Sequence, residues 1–296
     1  MKLVSFSVQG GAPQAGIMSE LAADFAGLNI VGLLWGDLSG PDRAGYPTVL
    51  DVIASGLTVA DLNQKLKRTH PFFRRDQVRL HAPLANPPRV FAIGLNYRDH
   101  AIESGMAIPT TPVVFFKLQS AIIGPDDLIV LPKCSTQPDY EAEIAFVIGK
   151  GGYRIPAAEW REHVYGYTIV NDVSARDVQF ATTQWSMSKS FPTFCPMGPA
   201  IVTADEIADP HKLAIRLSID GVVLQNSNTS ELIFKIPELI EYLSSITPLE
   251  PGDVVSTGTP SGVGLGRTPK RWLRPGETVT VTVEGIGSLA NPVAAE

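Results

Sequence analysis

Three carboxylates mark the segment of this chain most able to do chemistry. Asp139 to Gly149 reads DYEAEIAFVIG. Its apolar run predicts a strand over Ala142–Ile148, and the alternation of side chains along a strand puts Glu141 and Glu143 on one face, followed by Ala145 and Val147. Two like charges on a largely buried face repel each other and lose hydration. One carboxyl must then be protonated, or a basic partner or a cation must lie close. Asp172 is a third candidate, placed where the predicted strand Val164–Val170 hands over to a loop. Oxygen ligands without His or Cys suit a hard cation such as Mg²⁺, Mn²⁺ or Ca²⁺, whereas zinc would recruit nitrogen or sulfur. A solvent-facing edge strand has the same E-x-E spacing, so both readings stay open at this point.

A second group follows an apolar run that ends at Ile93, in GLNYRDHAIE. His100 and Glu103 are three apart, so one helical turn brings them to the same face. A carboxylate beside an imidazole orients the ring and raises its basicity, which makes a water-activating general base. A capped helix start with His100 facing solvent has the same spacing. Lys189 stands among small polar residues in Ser186–Phe191. Its ammonium can bind a carboxylate or hold the charge of an enolate, and a lone lysine is also an ordinary solvated group. The loop Gly258–Gly264, GTPSGVG, brings backbone N–H groups and the Thr259 hydroxyl towards an anion, or serves as a structural turn. It is not a Walker A loop, and no βαβ context supports a dinucleotide site. Trp185 and Phe191 are candidates for a pocket wall or for core.

The elements that must position these residues are mostly strands. Short β-branched runs bounded by Pro, Gly and Asp predict strands at Val90–Ile93, Val113–Lys117, Ala142–Ile148, Val164–Val170, Ala200–Thr203, Ala214–Ile219, Asp253–Thr257 and Glu277–Val283. Ile236, Leu239, Ile240 and Leu243 recur at helical spacing and predict a helix over Ile236–Ser245. Upstream, a strand at Leu3–Val8 and helices at Ser19–Ala26, Thr48–Ala54 and Thr58–Arg68 form a small α+β unit. The Pro-rich HAPLANPP at His81–Pro88 then reads as a linker or edge crossing. The reading is an α+β, mainly β chain with a small N-terminal domain over 1–80 and a catalytic domain over 81–296. A doubly wound alternation of strands and helices is missing.

The 296 residues, with 44% hydrophobic and 18% charged, have ordinary globular proportions. A net charge of −6 with no run of Lys and Arg argues against nucleic acid as a partner. No apolar stretch approaches the length that spans a bilayer, and MKLVSFSVQGG lacks the apolar core of a signal peptide. Two cysteines, Cys134 and Cys195, without CxxC spacing fit a reducing cytoplasm.

The motifs GLNYRDH with Glu103, YEAEIAFVIGK, GYTIVNDVSARDVQ, SKSFPTFCPMGP and LEPGDVVSTGTPSGVG follow one another between Gly94 and Gly264. Each is weak alone, but in this order they resemble the fumarylacetoacetate hydrolase (FAH) family, in its bacterial acylpyruvate hydrolase-like form. The resemblance implies an FAH-type mixed β-sandwich roll and a homodimer. It implies Glu141, Glu143 and Asp172 as ligands of Mg²⁺ or Mn²⁺, with Ca²⁺ as an occupant in crystals, and His100–Glu103 as a water-activating dyad. Lys189 and Thr259 match positions that contact substrate or support the metal site. Gln179 and Lys117 lie in matching stretches and are carried over as substrate-binding, and Gln225–Ser230 corresponds to a stretch near the substrate tail. The family's longer eukaryotic hydrolases use one more upstream carboxylate ligand, and none is identified here. The implied activity is hydrolysis of a C–C bond in a 2,4-dioxo acid, an acylpyruvate or fumarylpyruvate, through a metal-stabilised enolate. Oxaloacetate decarboxylation, hydroxymuconate-type isomerisation and ureidoglycolate-type lysis are alternatives on the same scaffold, as is a ligand-binding protein without catalysis.

Overall fold

The computed structural model describes residues 1–19, 29–33, 47–65 and 72–296. Two sheets dominate. Among the described residues the larger has twelve strands, and its path runs Phe72–Arg74, Asn29–Gly32, Gln14–Ser19, Lys2–Val8, Cys195–Thr203, Val164–Asn171, Ala142–Ile148, Val254–Ser256, Val90–Gly94 and Val113–Phe116. Val78–His81 adds to Lys2–Val8, and Ile122–Ile123 adds to Cys195–Thr203. The smaller sheet has five strands in the order Val222–Asn228, Ala214–Ile219, Thr278–Val283, Gly287–Ala295 and Ile129–Leu131. The architecture is the expected one: α+β, mainly β, a mixed sandwich.

The central strand Ala142–Ile148 shows why. All seven of its residues are buried, because both faces of the sheet are covered. Ile144, Phe146 and Ile148 enter a core shared with Ile215, Leu217, Val279 and Val281 of the smaller sheet and with Leu239, Ile240 and Leu243 of a helix. Ala145 and Val147 face the other way, into a core with Val52, Ile53 and Leu62 of the N-terminal helices. A strand covered on both faces reads as a continuous apolar run, which is how this one is written.

The helix over Ile236–Ile246 matches its periodicity. Thr48 caps the helix Val49–Ala54 by exchanging hydrogen bonds with Asp51, and Thr58 and Asp61 repeat the device before the helix Val59–Lys65. The helix expected at Ser19–Ala26 fares differently. Ser19 ends a strand that pairs with Lys2–Val8, and the rest of that stretch lies outside the described residues, as do residues 66–68. The strand expected at Ala200–Thr203 begins five residues earlier, at Cys195. Pro196 and Pro199 disguised it; Pro199 falls where the register opposite Tyr167 and Ile169 shifts, and Pro196 lies opposite Ile123 of a short parallel strand. The N-terminal strand is hydrogen-bonded directly into the main sheet, with Lys2 opposite Val202 and Leu3 opposite Ile201. Among the described residues no helix is long and apolar enough to cross a membrane.

Candidate active site

The three carboxylates meet at one end of the central strand. Ala142–Ile148 pairs antiparallel with Val164–Asn171, Ala142 opposite Asn171, so the chain leaving Asn171 passes beside Glu141. The Asp172 N–H donates to the Glu141 carbonyl at 2.9 Å, and the Glu141 N–H donates to Asn171 Oδ1 at 3.1 Å. Carboxylate oxygens of Glu141, Glu143 and Asp172 lie within 4.8 Å of one another, and all three residues are buried. The solvent-facing edge-strand alternative therefore fails.

Cations surround two of the three. Lys189 Nζ lies 2.7 Å from Glu141 Oε2 and 2.8 Å from Asp172 Oδ2. Lys117 Nζ donates to Asp172 Oδ1 at 2.5 Å and to the Lys189 carbonyl. Arg176 bridges Asp139 Oδ2 (Nε, 2.9 Å) and Glu141 Oε1 (Nη2, 2.6 Å). Among the described residues Glu143 makes no ion pair; its Oε2 accepts from Ser256 Oγ at 2.5 Å and from the Gly258 N–H at 2.9 Å. Burial raises the Glu141 carboxyl, but the charges of Lys189 and Arg176 outweigh it and hold the group well below the usual carboxylate range. Glu143 is pushed up to about 8, by burial first and then by the charges of Asp172 and Glu141. Asp139, Glu141, Glu143 and Asp172 thus stand against Lys117, Lys189 and Arg176: four acids, three cations, and the unmatched acid is Glu143. This donor set, oxygen only and short of positive charge, fits a hard divalent cation.

Glu141 and Glu143 open into a cavity of ≈ 420 Å³, lined also by Phe115, Trp185 and Leu265. Trp185 lies so close to Gly94 that a β-carbon there would come within 2.2 Å of the ring. One wall is the short helix Arg98–Glu103. Asp99 fixes it: Oδ1 accepts the His100 N–H at 2.8 Å, and Oδ2 accepts the hydroxyls of Ser227 and Ser261 at 2.7 and 3.2 Å. His100 Nδ1 stands 3.4 Å from Glu103 Oε2, the expected one-face pairing in a loose geometry. Both residues line the cavity. Gly266 passes against Glu103, where a β-carbon would come within 2.4 Å of the carboxyl carbon.

Thr259 and Gln179 reach the same cavity. Thr259 Oγ1 accepts from Gln225 Nε2 at 2.9 Å, which leaves its own O–H to donate. Gln179 Oε1 accepts from Arg176 Nη1 at 2.9 Å. Lys117 lies behind Asp172 with no exposed side-chain surface and does not line the cavity. Within Gln225–Ser230, Gln225 orients Thr259 and Ser227 holds Asp99. Sequence reasoning missed Arg176, Asp139 and Ser256. The demand for compensating charge was readable, but no local pattern says which cation answers it.

Known proteins share this arrangement of chain. The profile of the family "Fumarylacetoacetate (FAA) hydrolase C-terminal" matches residues 89–294. The mitochondrial oxaloacetate tautomerase of Xenopus laevis is 41% identical over 296 residues, covering 99% of this chain and 90% of that one. Two solved structures superpose over the whole of both chains. One is a fumarylacetoacetate hydrolase from Exiguobacterium antarcticum, at 35% identity and TM-score 0.83. The other is a 5-carboxymethyl-2-hydroxymuconate delta-isomerase from Mycobacterium smegmatis, at 34% identity and TM-score 0.79. With two thirds of its length matched by the family profile and a relative above 40% identity, the chain belongs to the fumarylacetoacetate hydrolase family.

Proposed function

We propose that this protein is a divalent-cation-dependent enzyme that interconverts the keto and enol forms of a small 2-oxo acid of the oxaloacetate class. The observation that carries the reading is the placement of a His100–Glu103 pair on the wall of the cavity that Glu141 and Glu143 also line, with Asp172 clustered beside those two carboxylates. The full-length relative named for oxaloacetate tautomerisation supports the choice of substrate.

Tautomerisation needs one proton moved at C3 and negative charge tolerated on the 2-oxo oxygen. A divalent cation, Mg²⁺ or Mn²⁺, held by the three carboxylates would polarise that oxygen. His100 removes or returns the C3 proton, and Glu103 orients the ring and steadies its protonated form. Lys189 spends two N–H groups on Glu141 and Asp172 and offers the remaining one to the developing charge. The Thr259 hydroxyl adds a neutral donor.

C–C hydrolysis of a 2,4-dioxo acid is the second reading. The same pair can activate water, and the Exiguobacterium structure is described as a hydrolase. The two readings share the charge on the 2-oxo oxygen and differ in whether the C3–C4 bond breaks. Metal-stripped protein, resupplied with Mg²⁺ or Mn²⁺, is mixed with oxaloacetate and with acylpyruvates. Enol absorbance is followed and products are identified by mass. Faster keto–enol exchange of oxaloacetate without loss of mass is the expected result. Release of pyruvate and an acid from an acylpyruvate would replace it with the hydrolase, and carbon dioxide from oxaloacetate with a decarboxylase. A homodimer and a cytoplasmic location, carried by the family resemblance and by the cysteine usage, belong to the same proposal.

A further inference from the structure

The cations deep in the cavity are already committed to carboxylates, but those at its mouth are not. Arg267 and Lys270 line the cavity beyond Leu265, and neither forms an ion pair among the described residues. Arg267 is half-buried and anchored: Nε donates to the Gly262 carbonyl at 3.1 Å and Nη2 donates to the Leu224 carbonyl. Carbonyl partners hold a guanidinium in place without neutralising it. Lys270 is exposed, and its Nζ stands 5.9 Å from the centre of the Trp272 ring. The lining also includes the apolar Phe115, Trp185 and Leu265 beside the polar His100, Glu103, Gln179 and Thr259. Among the described residues the cavity thus carries two uncommitted cations besides the acids Glu141 and Glu143.

We infer that Arg267 and Lys270 form a subsite for the far carboxylate of a dicarboxylic substrate. This deepens the proposed reading of the site and rests on it for the placement of the 2-oxo end at the floor. A four-carbon 2-oxo dicarboxylate carries its second charge at the opposite end from the chelating group, and Arg267 and Lys270 are the cations of the lining without a carboxylate partner among the described residues. Arg267 supplies a fixed charge and Lys270 a movable one that follows the ligand. A substrate with a neutral tail leaves both cations unused, so discrimination between dicarboxylic and monocarboxylic 2-oxo acids arises here.

Malate and 2-hydroxybutanoate test the subsite by binding alone. They share the 2-hydroxy acid end and differ in whether the far end is a carboxylate. Calorimetry on the Mg²⁺-loaded protein should show tighter binding of malate. Lys270→Gln should shrink that preference roughly fivefold, the size expected of one exposed charge pair, and Lys270→Glu should shrink it further. Lys270 is exposed, so neither change threatens the fold; a merely structural effect would weaken both ligands alike and leave their ratio unchanged. Equal affinity for the two ligands in the wild type, binding of neither, or a preference untouched by both variants would overturn the subsite. Failure of oxaloacetate to exchange, with the malate preference intact and sensitive to Lys270, would overturn the reaction and leave the subsite standing.

Discussion

The carboxylate of Glu103 straddles the backbone N–H of Gly262, with its two oxygens 2.9 and 3.1 Å from the nitrogen. The side chain that orients His100 is thus held by the Gly-rich loop that also carries Thr259. A carboxylate held by a backbone donor is fixed in position, and so fixes the orientation of the ring beside it. Glu103→Gln preserves size and can still accept the Gly262 N–H, but removes the charge. We expect kcat to fall roughly 100-fold with little change in KM, and divalent-cation affinity by calorimetry to stay as in the wild type. Full turnover in the variant would take Glu103 out of the reaction.

Arg176 is the buried guanidinium that joins Asp139 to Glu141. Asp139 in turn accepts the N–H groups of Gly264 and Leu265, at 2.7 and 3.0 Å, so the arginine ties the metal-ligand strand to the Gly-rich loop. Arg176→Met keeps the volume, leaves the buried Asp139 without its cation and leaves Glu141 with Lys189 alone. Removing one partner from a buried pair costs about 3–5 kcal/mol, so chemical denaturation should show a loss of that order. Adding Asp139→Asn should recover part of it. A loss below about 1 kcal/mol would mean that the pair contributes little to the fold.

How much of this was legible in the sequence depends on the range of the interaction. Glu141 and Glu143 could be assigned to one strand face because alternation is local, and Asp172 because a strand end is visible in composition. Helix spacing over Ile236–Ser245 was readable for the same reason. The Arg176–Asp139 pair spans 37 residues and comes together only when the strands Pro138–Asp139 and Ser174–Ala175 pair. Lys117 occupies a matching stretch, yet its direction, away from the cavity and into the back of Asp172, is set by the fold of both segments. Strands containing Pro196 and Pro292 were hidden or missed because propensity speaks against them while the ladder around them does not.

The unmatched acid on the floor makes cation binding testable without any substrate. A divalent ion should bind metal-stripped protein and raise its melting temperature, because ligands that bind only the folded state stabilise it by mass action. Glu143→Gln removes the acid that lacks a cation partner while keeping an oxygen in place. That variant should melt at or above the metal-stripped wild type above about pH 8, where Glu143 ionises against Asp172 and Glu141, and should gain less from added Mg²⁺ or Mn²⁺. Differential scanning fluorimetry across a cation titration reads both effects. An equal gain in variant and wild type would exclude Glu143 as a ligand.

A pH effect is expected at a second place, away from the cavity. His211 Nε2 accepts the Ile236 N–H at 3.2 Å, at the start of the helix Ile236–Ile246, while Nδ1 lies 3.3 Å from Asp209 Oδ1 and Trp160 packs on the ring. Burial lowers the His211 pKa below its ordinary 6.5; Asp209 opposes the shift, while Lys235 and Arg161 reinforce it. Protonation would also place an N–H against the Ile236 N–H at the positive end of the helix dipole. A lowered folded-state value means that the unfolded chain binds the proton more readily. The contribution of His211 is therefore complete above pH 6.5 and is lost as pH falls through the folded-state pKa. Between pH 7.5 and 5 the wild type should lose more melting temperature than His211→Gln, whose amide oxygen can accept the same N–H at any pH. An NMR titration of the ring at or above 6.5 would remove this contribution.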